Sequence, residues 1–213
     1  MDSRGLVATI AILLVFNVFR TSGMCPLCPD KVHPQEAFCK ADFVIKATVE
    51  GLTNYGDDPL TPEFDPQDEY TVIVEEIFKG NVTKGCYEIV WAFRDTLPCG
   101  VGLTIDQTFL LSGTEESGDL ILDPCGLHTN WNDVTSHMKI GVNKRYKKNC
   151  QCEIGESKCQ IDPSLISEQK DCFCKYATCV ESTKAGCAPE CKWKESKSFG
   201  PCFDNSLTVA ITA

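Results

Sequence analysis

Histidine is scarce in this sequence, and so are the motifs that usually carry catalysis. Only His33, His128 and His137 occur among 213 residues. No two are spaced four apart and H-E-x-x-H is absent, which excludes a zincin site. G-x-S-x-G and a glycine-rich phosphate loop are also absent. Positive charge is in deficit, with 20 Lys and Arg against 30 Asp and Glu, a net charge of −10. Duplex affinity comes mainly from neutralising phosphates, so a nucleic-acid binder is excluded. Beyond the first two dozen residues there is no apolar run of membrane-spanning length. There is no internal repeat and no low-complexity tract.

The start of the chain and its cysteines point the other way. Arg4, an apolar run from Leu6 to Phe16 and then Thr21-Ser22-Gly23 read as a secretory signal peptide over residues 1–24. The chain carries 15 Cys. At that density in a secreted, extracellular protein they are disulfides, and an odd count leaves at least one thiol outside any internal pairing. Seven cysteines lie in residues 25–150 and eight in the shorter stretch 151–213. We therefore expect two domains with a boundary near Cys150. The second is dense, loop-like and too small for a sizeable core, so its bridges must hold it.

The first stretch reads as β-structure. Phe43 to Val49 is rich in β-branched residues. Tyr70, Val72 and Val74 alternate on one face of a strand, and Tyr87, Ile89, Trp91 and Phe93 do the same in the next. Thr108–Leu111 and Leu120–Leu122 follow, around a turn from Gly113 to Gly118. Five short antiparallel strands imply a small barrel or sandwich. Trp131, Val134, Met138 and Val142 fall at helical spacing, with Asn132-Asp133 as the capping candidate. Leu52 to Glu69, with its acids and Pro59, Pro62 and Pro66, reads as a solvated loop without the ordered calcium-loop pattern. Lys144, Arg145, Lys147 and Lys148 form a short basic cluster, read as a solvated face; glycosaminoglycan or matrix contact is the other reading. Cys25-Pro26-Leu27-Cys28 has redox spacing but lacks the helix and parallel sheet that thioredoxin-like chemistry needs.

Those residues belong to a longer pattern. Cys25 to Cys28 leads into His33-Pro34-Gln35-Glu36-Ala37-Phe38-Cys39. Ala41-Asp42-Phe43-Val44-Ile45-Lys46-Ala47, Glu76-Ile77-Phe78-Lys79-Gly80 and Phe109-Leu110-Leu111-Ser112-Gly113 follow. Cys125 precedes Trp131-Asn132, and Arg145-Tyr146 precedes Cys150-Gln151-Cys152. In this order the segments resemble the tissue inhibitors of metalloproteinases, most strongly before Cys152 and weakly after Cys159. The resemblance implies a five-stranded OB-type barrel with a helix, the netrin-like module, in residues 25–150. A small disulfide-rich C-terminal domain would fill 151–213. It implies the bridges Cys25–Cys99, Cys28–Cys125 and Cys39–Cys150, each closing roughly 75–110 residues and contributing on the order of 4–5 kcal/mol in the chain-entropy model.

It also implies an inhibitor rather than an enzyme, with no cofactor of its own. The amino group and carbonyl oxygen of a mature N-terminal Cys25 would chelate the catalytic zinc of a secreted protease of the matrix metalloproteinase class. Cys25, Pro26, Leu27 and Cys28 would lie in the protease cleft, with Leu97 and Pro98 as the neighbouring contact ridge. Three features depart from the family. The chain has C-x-x-C where the family has C-x-C, adding up to ~3.3–3.6 Å of backbone. Pro26 has no N–H to give the protease backbone. Cleavage after Gly23 fits the small-residue rule better than cleavage after Met24, and an extra Met24 would turn the Cys25 amine into an amide. These departures favour an alternative, a netrin-like matrix or immune binding protein without inhibition.

Asn81-Val82-Thr83 is the only N-glycosylation sequon. Trp131 and Trp193 are expected in cores. Cys86 has no family counterpart: it is a buried free thiol or pairs elsewhere. The eight cysteines after Cys150 allow 105 pairings, and none is assigned. Pairing among themselves would leave Cys86 as the odd thiol.

Overall fold

The computed structural model describes residues 28, 32–55, 67–95, 99–154, 159–182 and 190–211. In chain order these form α1 (Pro34–Lys40), β1 (Phe43–Tyr55), β2 (Gln67–Lys79), β3 (Tyr87–Phe93), β4 (Thr108–Glu116), β5 (Asp119–Leu122) and β6 (His128–Asn130). Then come α2 (Ser136–Ile140), α3 (Ser167–Tyr176), β7 (Ala177–Ser182), β8 (Glu190–Glu195) and α4 (Phe199–Ile211). The first sheet runs β1-β2-β3-β5-β4 and closes through β1–β4, with β6 added beside β4. This is a closed five-stranded barrel of OB type, and the protein is mainly β, with a small disulfide-rich domain at its C-terminal end.

One long strand makes the closure possible. β1 pairs with β2 from Val44 to Tyr55 and with β4 from Phe43 to Thr48. Its register shifts at Val44/Ile45, Lys46/Ala47 and Val49/Gly51, and such bulges add the coil that lets a strand serve both ends of a barrel. The interior is filled by Ile45, Ala47 and Val49 of β1, Tyr70, Val72 and Val74 of β2, and Leu111, Leu120 and Leu122. Sequence alternation located this face of β2. On β3 it marked the opposite one: Val90 and Ala92 are buried, whereas Tyr87 is 67% and Ile89 40% exposed. Val90 stands directly opposite inward-facing Tyr70 in the β2–β3 ladder, so Val90 and Ala92 share its face and the larger residues of β3 turn outward.

Three sequence expectations are corrected. The hairpin between β1 and β2 is longer than expected, because Leu52–Tyr55 and Gln67–Glu69 are strand rather than loop. Asp68, read as solvated, is buried, with its Oδ1 3.5 Å from Arg94 Nε. The acids and prolines at positions 56–66 lie outside the described residues. The β4–β5 turn is tighter than Gly113 to Gly118: Gly113 sits inside β4, and left-handed Ser117 (φ 56°) and Gly118 (φ 96°) make the reversal. The helix after Trp131 begins later than Asn132-Asp133. Thr135 is its N-cap, accepting from Met138 N–H at 3.2 Å. Asp133 is instead held in a turn by its N–H on Asn130 O. The helical path continues through a π-turn at Gly141–Arg145 and a 3₁₀ turn at Lys147–Asn149.

A second apolar cluster packs on the barrel's outside. Phe38 of α1, Val44 and Leu110 from the strands, and Val134, Met138, Val142 and Tyr146 meet there. Tyr146 is fully buried, and Gly141 makes room for it, since a Cβ at position 141 would run into the Tyr146 ring. Trp131 flanks this cluster, part-exposed, under the ammonium groups of Lys46 (4.9 Å) and Lys139 (4.6 Å).

The C-terminal domain has more regular structure than its cysteine density implied. β7 and β8 form an antiparallel hairpin. Phe173 of α3 packs on Trp193 of β8 and on Phe199 and Phe203 of α4. Three bridges staple it: Cys152–Cys191, Cys159–Cys179 and Cys172–Cys202. Complete pairing within the set of eight is not found, because Cys174 is a buried thiol; Cys187 lies outside the described residues. Cys86 is a thiol too, but exposed rather than buried, in the turn that leads into β3.

Candidate functional site

Of the residues expected at the contact edge, Cys25, Pro26, Leu27, Leu97 and Pro98 lie outside the described residues. Cys28 and Cys99 are described, and the structure shows what holds each.

Cys28 is exposed and bonded to Cys125, with the Cα atoms 5.3 Å apart. Cys125 belongs to the turn after β5, and that turn is tied down at several points. Asp123 Oδ1 accepts from Cys125 N–H at 2.8 Å, Asp123 O from Gly126 N–H at 2.8 Å, and Pro124 O lies 3.1 Å from His128 Nε2. Buried Ser112 of β4 joins the turn to the barrel. Its Oγ accepts from Leu127 N–H at 2.6 Å, and its own N–H donates to Leu127 O at 2.8 Å. Gly126 is required where Ser112 Oγ comes close, since a Cβ there would meet it at 2.7 Å.

Cys99 is buried and disulfide-bonded; Cys25, its expected partner, lies outside the described residues. The chain after Cys99 is fixed from inside the barrel. Tyr70 OH donates to Val101 O at 3.1 Å and accepts from Leu103 N–H at 3.3 Å. Burial raises the Tyr70 phenol above its ordinary range, so it stays a donor.

Cys39, near the end of α1, is bonded to Cys150. Lys79 of β2 donates to the carbonyls of Phe38 (3.1 Å) and Cys39 (3.0 Å) at the end of α1, where a cation complements orphaned carbonyls. The segment between Cys28 and Cys39 is thus bracketed by two bridges, with a part-buried lysine contact at the second. Desolvation lowers the Lys79 pKa.

The sequence reading quoted His33-Pro34-Gln35 but missed what it does. It opens α1. His33 is the N-cap, its Nδ1 accepting from Gln35 N–H at 3.1 Å, and Pro34 stands at the first helical position. A Pro four residues before a Phe-Cys pair, with Glu36 in the first turn, was the available signal. Both side chains face the C-terminal domain. His33 Nε2 lies 3.2 Å from Phe173 O, and the Gln35 amide exchanges hydrogen bonds with Cys179, giving Nε2 to its O and accepting its N–H, both at 2.9 Å.

Asn81 is exposed in the turn after Lys79-Gly80. Lys144, Lys147 and Lys148 are exposed as well. Among the described residues, Cys152, Cys179 and Cys191 cluster as a metal site would, yet all three sulfurs are in disulfides. No helix among these residues is long and apolar enough to cross a membrane.

Comparison with known proteins fits this layout. The family model described as "Tissue inhibitor of metalloproteinase" matches residues 24–198. The chain is 26% identical over 205 residues to human metalloproteinase inhibitor 2, covering 87% of this chain and 90% of that one. It is 28% identical over 207 residues to the chicken inhibitor 2, covering 86% and 88%. It is 26% identical over 170 residues to metalloproteinase inhibitor 3 of Scyliorhinus torazame, covering 78% and 75%.

Proposed function

The chain belongs to the tissue inhibitor of metalloproteinase family, and from that premise we propose that it is a secreted inhibitor of zinc metalloproteinases acting through Cys25. A catalytic zinc keeps one position open for the hydrolytic water. The α-amino nitrogen and the carbonyl oxygen of an N-terminal Cys25 would chelate the protease's zinc there, displacing the water and adding one ligand more. The amine must be neutral to coordinate; an ordinary α-amino pKa of ~7.7–8.0 makes that inexpensive near neutral pH. Pro26, Leu27 and Cys28 then occupy the cleft, with Leu97 and Pro98 beside them.

The observation that carries this reading is the anchoring of Cys28. The last residue of the proposed N-terminal edge is bonded to a turn that Ser112 fixes to the barrel wall. A segment held this way is ordered before the protease arrives, which lowers the entropy lost on binding. The protein inhibits and does not itself catalyse, and N-glycosylation at Asn81 belongs to the same secreted reading. Residues 1–24 are its signal peptide, 25–150 its inhibitory domain and 151–213 its cysteine-rich domain.

The test compares two forms of the secreted protein, one beginning at Cys25 and one at Met24, against a panel of zinc endopeptidases. Inhibition by the first and its loss in the second is the expected result. No inhibition at micromolar protein beginning at Cys25 would replace this reading with the non-inhibitory binding module that C-x-x-C and Pro26 favour.

A further inference from the structure

We propose that His33-Pro34-Gln35 is an acid-released latch between the barrel and the C-terminal domain, opened when the His33 imidazole takes up a proton.

Both ring nitrogens of His33 are committed in the neutral form. A backbone carbonyl only accepts, so the Nε2 facing Phe173 O carries the hydrogen. Nδ1 is the acceptor for Gln35 N–H. A second proton goes to Nδ1. It sets N–H against N–H at the helix start and leaves a cation in a fully buried pocket beside Trp193, whose ring centroid is 5.0 Å away. Relieving this displaces Gln35, because His33 is the cap that holds the Gln35 backbone. Gln35 in turn makes the reciprocal pair with Cys179 and a further bond to Asn149 O at 3.0 Å. One protonation therefore undermines the three hydrogen bonds the Gln35 side chain makes, two of them across the junction.

The surroundings do not compensate the charge. The titratable neighbour of His33 is His137 of α2, itself buried at the junction, with Nε2 2.8 Å from Thr178 Oγ1. Arg145 opposes protonation of His137, and so does desolvation, the larger effect. His137 also lines a cavity of about 640 Å³ between the domains with Arg145, Tyr176, Lys194, Glu195 and Lys197. Three cations stand there against one carboxylate. On α3, Lys175 is paired with Asp171 at 2.7 Å, and buried Cys174 lies near Tyr146. No carboxylate among these groups faces His33.

Burial, the largest effect, holds the docked His33 at about 4, against an ordinary 6.5. The docked state is therefore at full strength above pH 6.5 and weakens as pH falls from there toward 4. A ring that regains its ordinary pKa on undocking lowers the docking constant about 30-fold at pH 5 and about 150-fold at pH 4. Gln151 keeps the two domains covalently joined, so the opening is reversible.

Residue-resolved hydrogen exchange of the full protein tests this, read as protection factors from pH 7.5 to 4.5. The Cys179 amide, which donates to Gln35 Oε1, should lose about 30-fold protection by pH 5, while the barrel amide of Leu110 holds its own. His33→Asn keeps an oxygen for the Gln35 cap and cannot titrate in this range; its Cys179 protection should stay flat. A wild-type Cys179 amide with constant protection, a fall equal to that of Leu110, or an equal fall in His33→Asn would each overturn the proposal. A titration of the His33 ring by NMR needs no variant: protonation near pH 6.5 with Cys179 still protected would also refute it.

Discussion

Replacing Cys28 and Cys125 together by Ser removes the bond that anchors the proposed contact edge, and its two consequences are separable. The bridge closes a sequence separation of 97 residues. In the chain-entropy model such a loop contributes about 4.7 kcal/mol, an upper figure because denatured chains keep some structure. The second consequence concerns binding. Without the bridge, the proposed edge keeps one tether, the expected Cys25–Cys99 bond, and the protease must supply the ordering that Cys28 gave. At ~1–2 kcal/mol per backbone residue, freeing Cys28 and one neighbour costs about 2–4 kcal/mol, or a ~30- to 10³-fold weaker inhibition constant. Urea unfolding and inhibition of one zinc endopeptidase read the two numbers from the same preparation, with the N-terminus sequenced first. A variant that unfolds several kcal/mol more easily yet inhibits within tenfold of the parent would refute the argument that the tether pre-organises the edge. A stability loss under 1 kcal/mol would refute the loop-closure argument.

Three other predictions concern the frame around that edge. Ser112→Ala strands the Leu127 N–H beneath the Cys125 turn and should cost about 1–3 kcal/mol in urea unfolding; an unchanged midpoint would count against Ser112 as the pin. Tyr146→Phe removes a buried hydroxyl with no hydrogen-bond partner in the structure, so stability should hold or rise by up to ~1 kcal/mol, and a clear loss would show that the hydroxyl is used. Glu75 is held below its ordinary carboxyl range, first by its hydrogen bond with Lys46 and then by Thr48. That contribution is present above the ordinary value of 4.5 and is lost as pH falls below it. The melting temperature of Glu75→Gln should therefore change less than wild type between pH 5 and 3, and parallel curves would contradict this.

The barrel was legible because its strands carry their pattern locally. Tyr70, Val72 and Val74 alternate with polar neighbours, and a period of two needs no partner to be read. On β3 the periodicity was equally clear and the face was ambiguous. Tyr87, Ile89, Trp91 and Phe93 are the larger set, yet Val90 and Ala92 face the lumen because Val90 pairs opposite inward-facing Tyr70. That choice is made by register between two strands, which no single strand encodes. The long reach of β1 past Val49 was hidden for a similar reason, since its last residues are exposed and only pairing with β2 makes them strand. Near the candidate edge, cysteine order and the quoted motifs led to the family, but the roles of Ser112, Gly126 and the His33 cap did not follow from them. Each acts through a contact distant in sequence or through a carbonyl of another element. The hairpin and helices after Cys150 were masked by a cysteine spacing that resembles loop.

The order in which the chain is made gives the Cys28–Cys125 and Cys39–Cys150 bridges a further meaning. Cys28, in the proposed contact edge, and Cys39 after it are made early, and each waits for a partner about a hundred residues behind it. The proposed edge is therefore made before nearly all of the barrel and is placed only once Cys125 has been made. Nearer thiols are available for premature pairing throughout that interval, and disulfide reshuffling is slow, taking roughly seconds to hours. Material recovered from a reducing compartment should carry a translated but unassembled edge, and the yield of active protein should follow the oxidative machinery of the host more closely than the rate of synthesis.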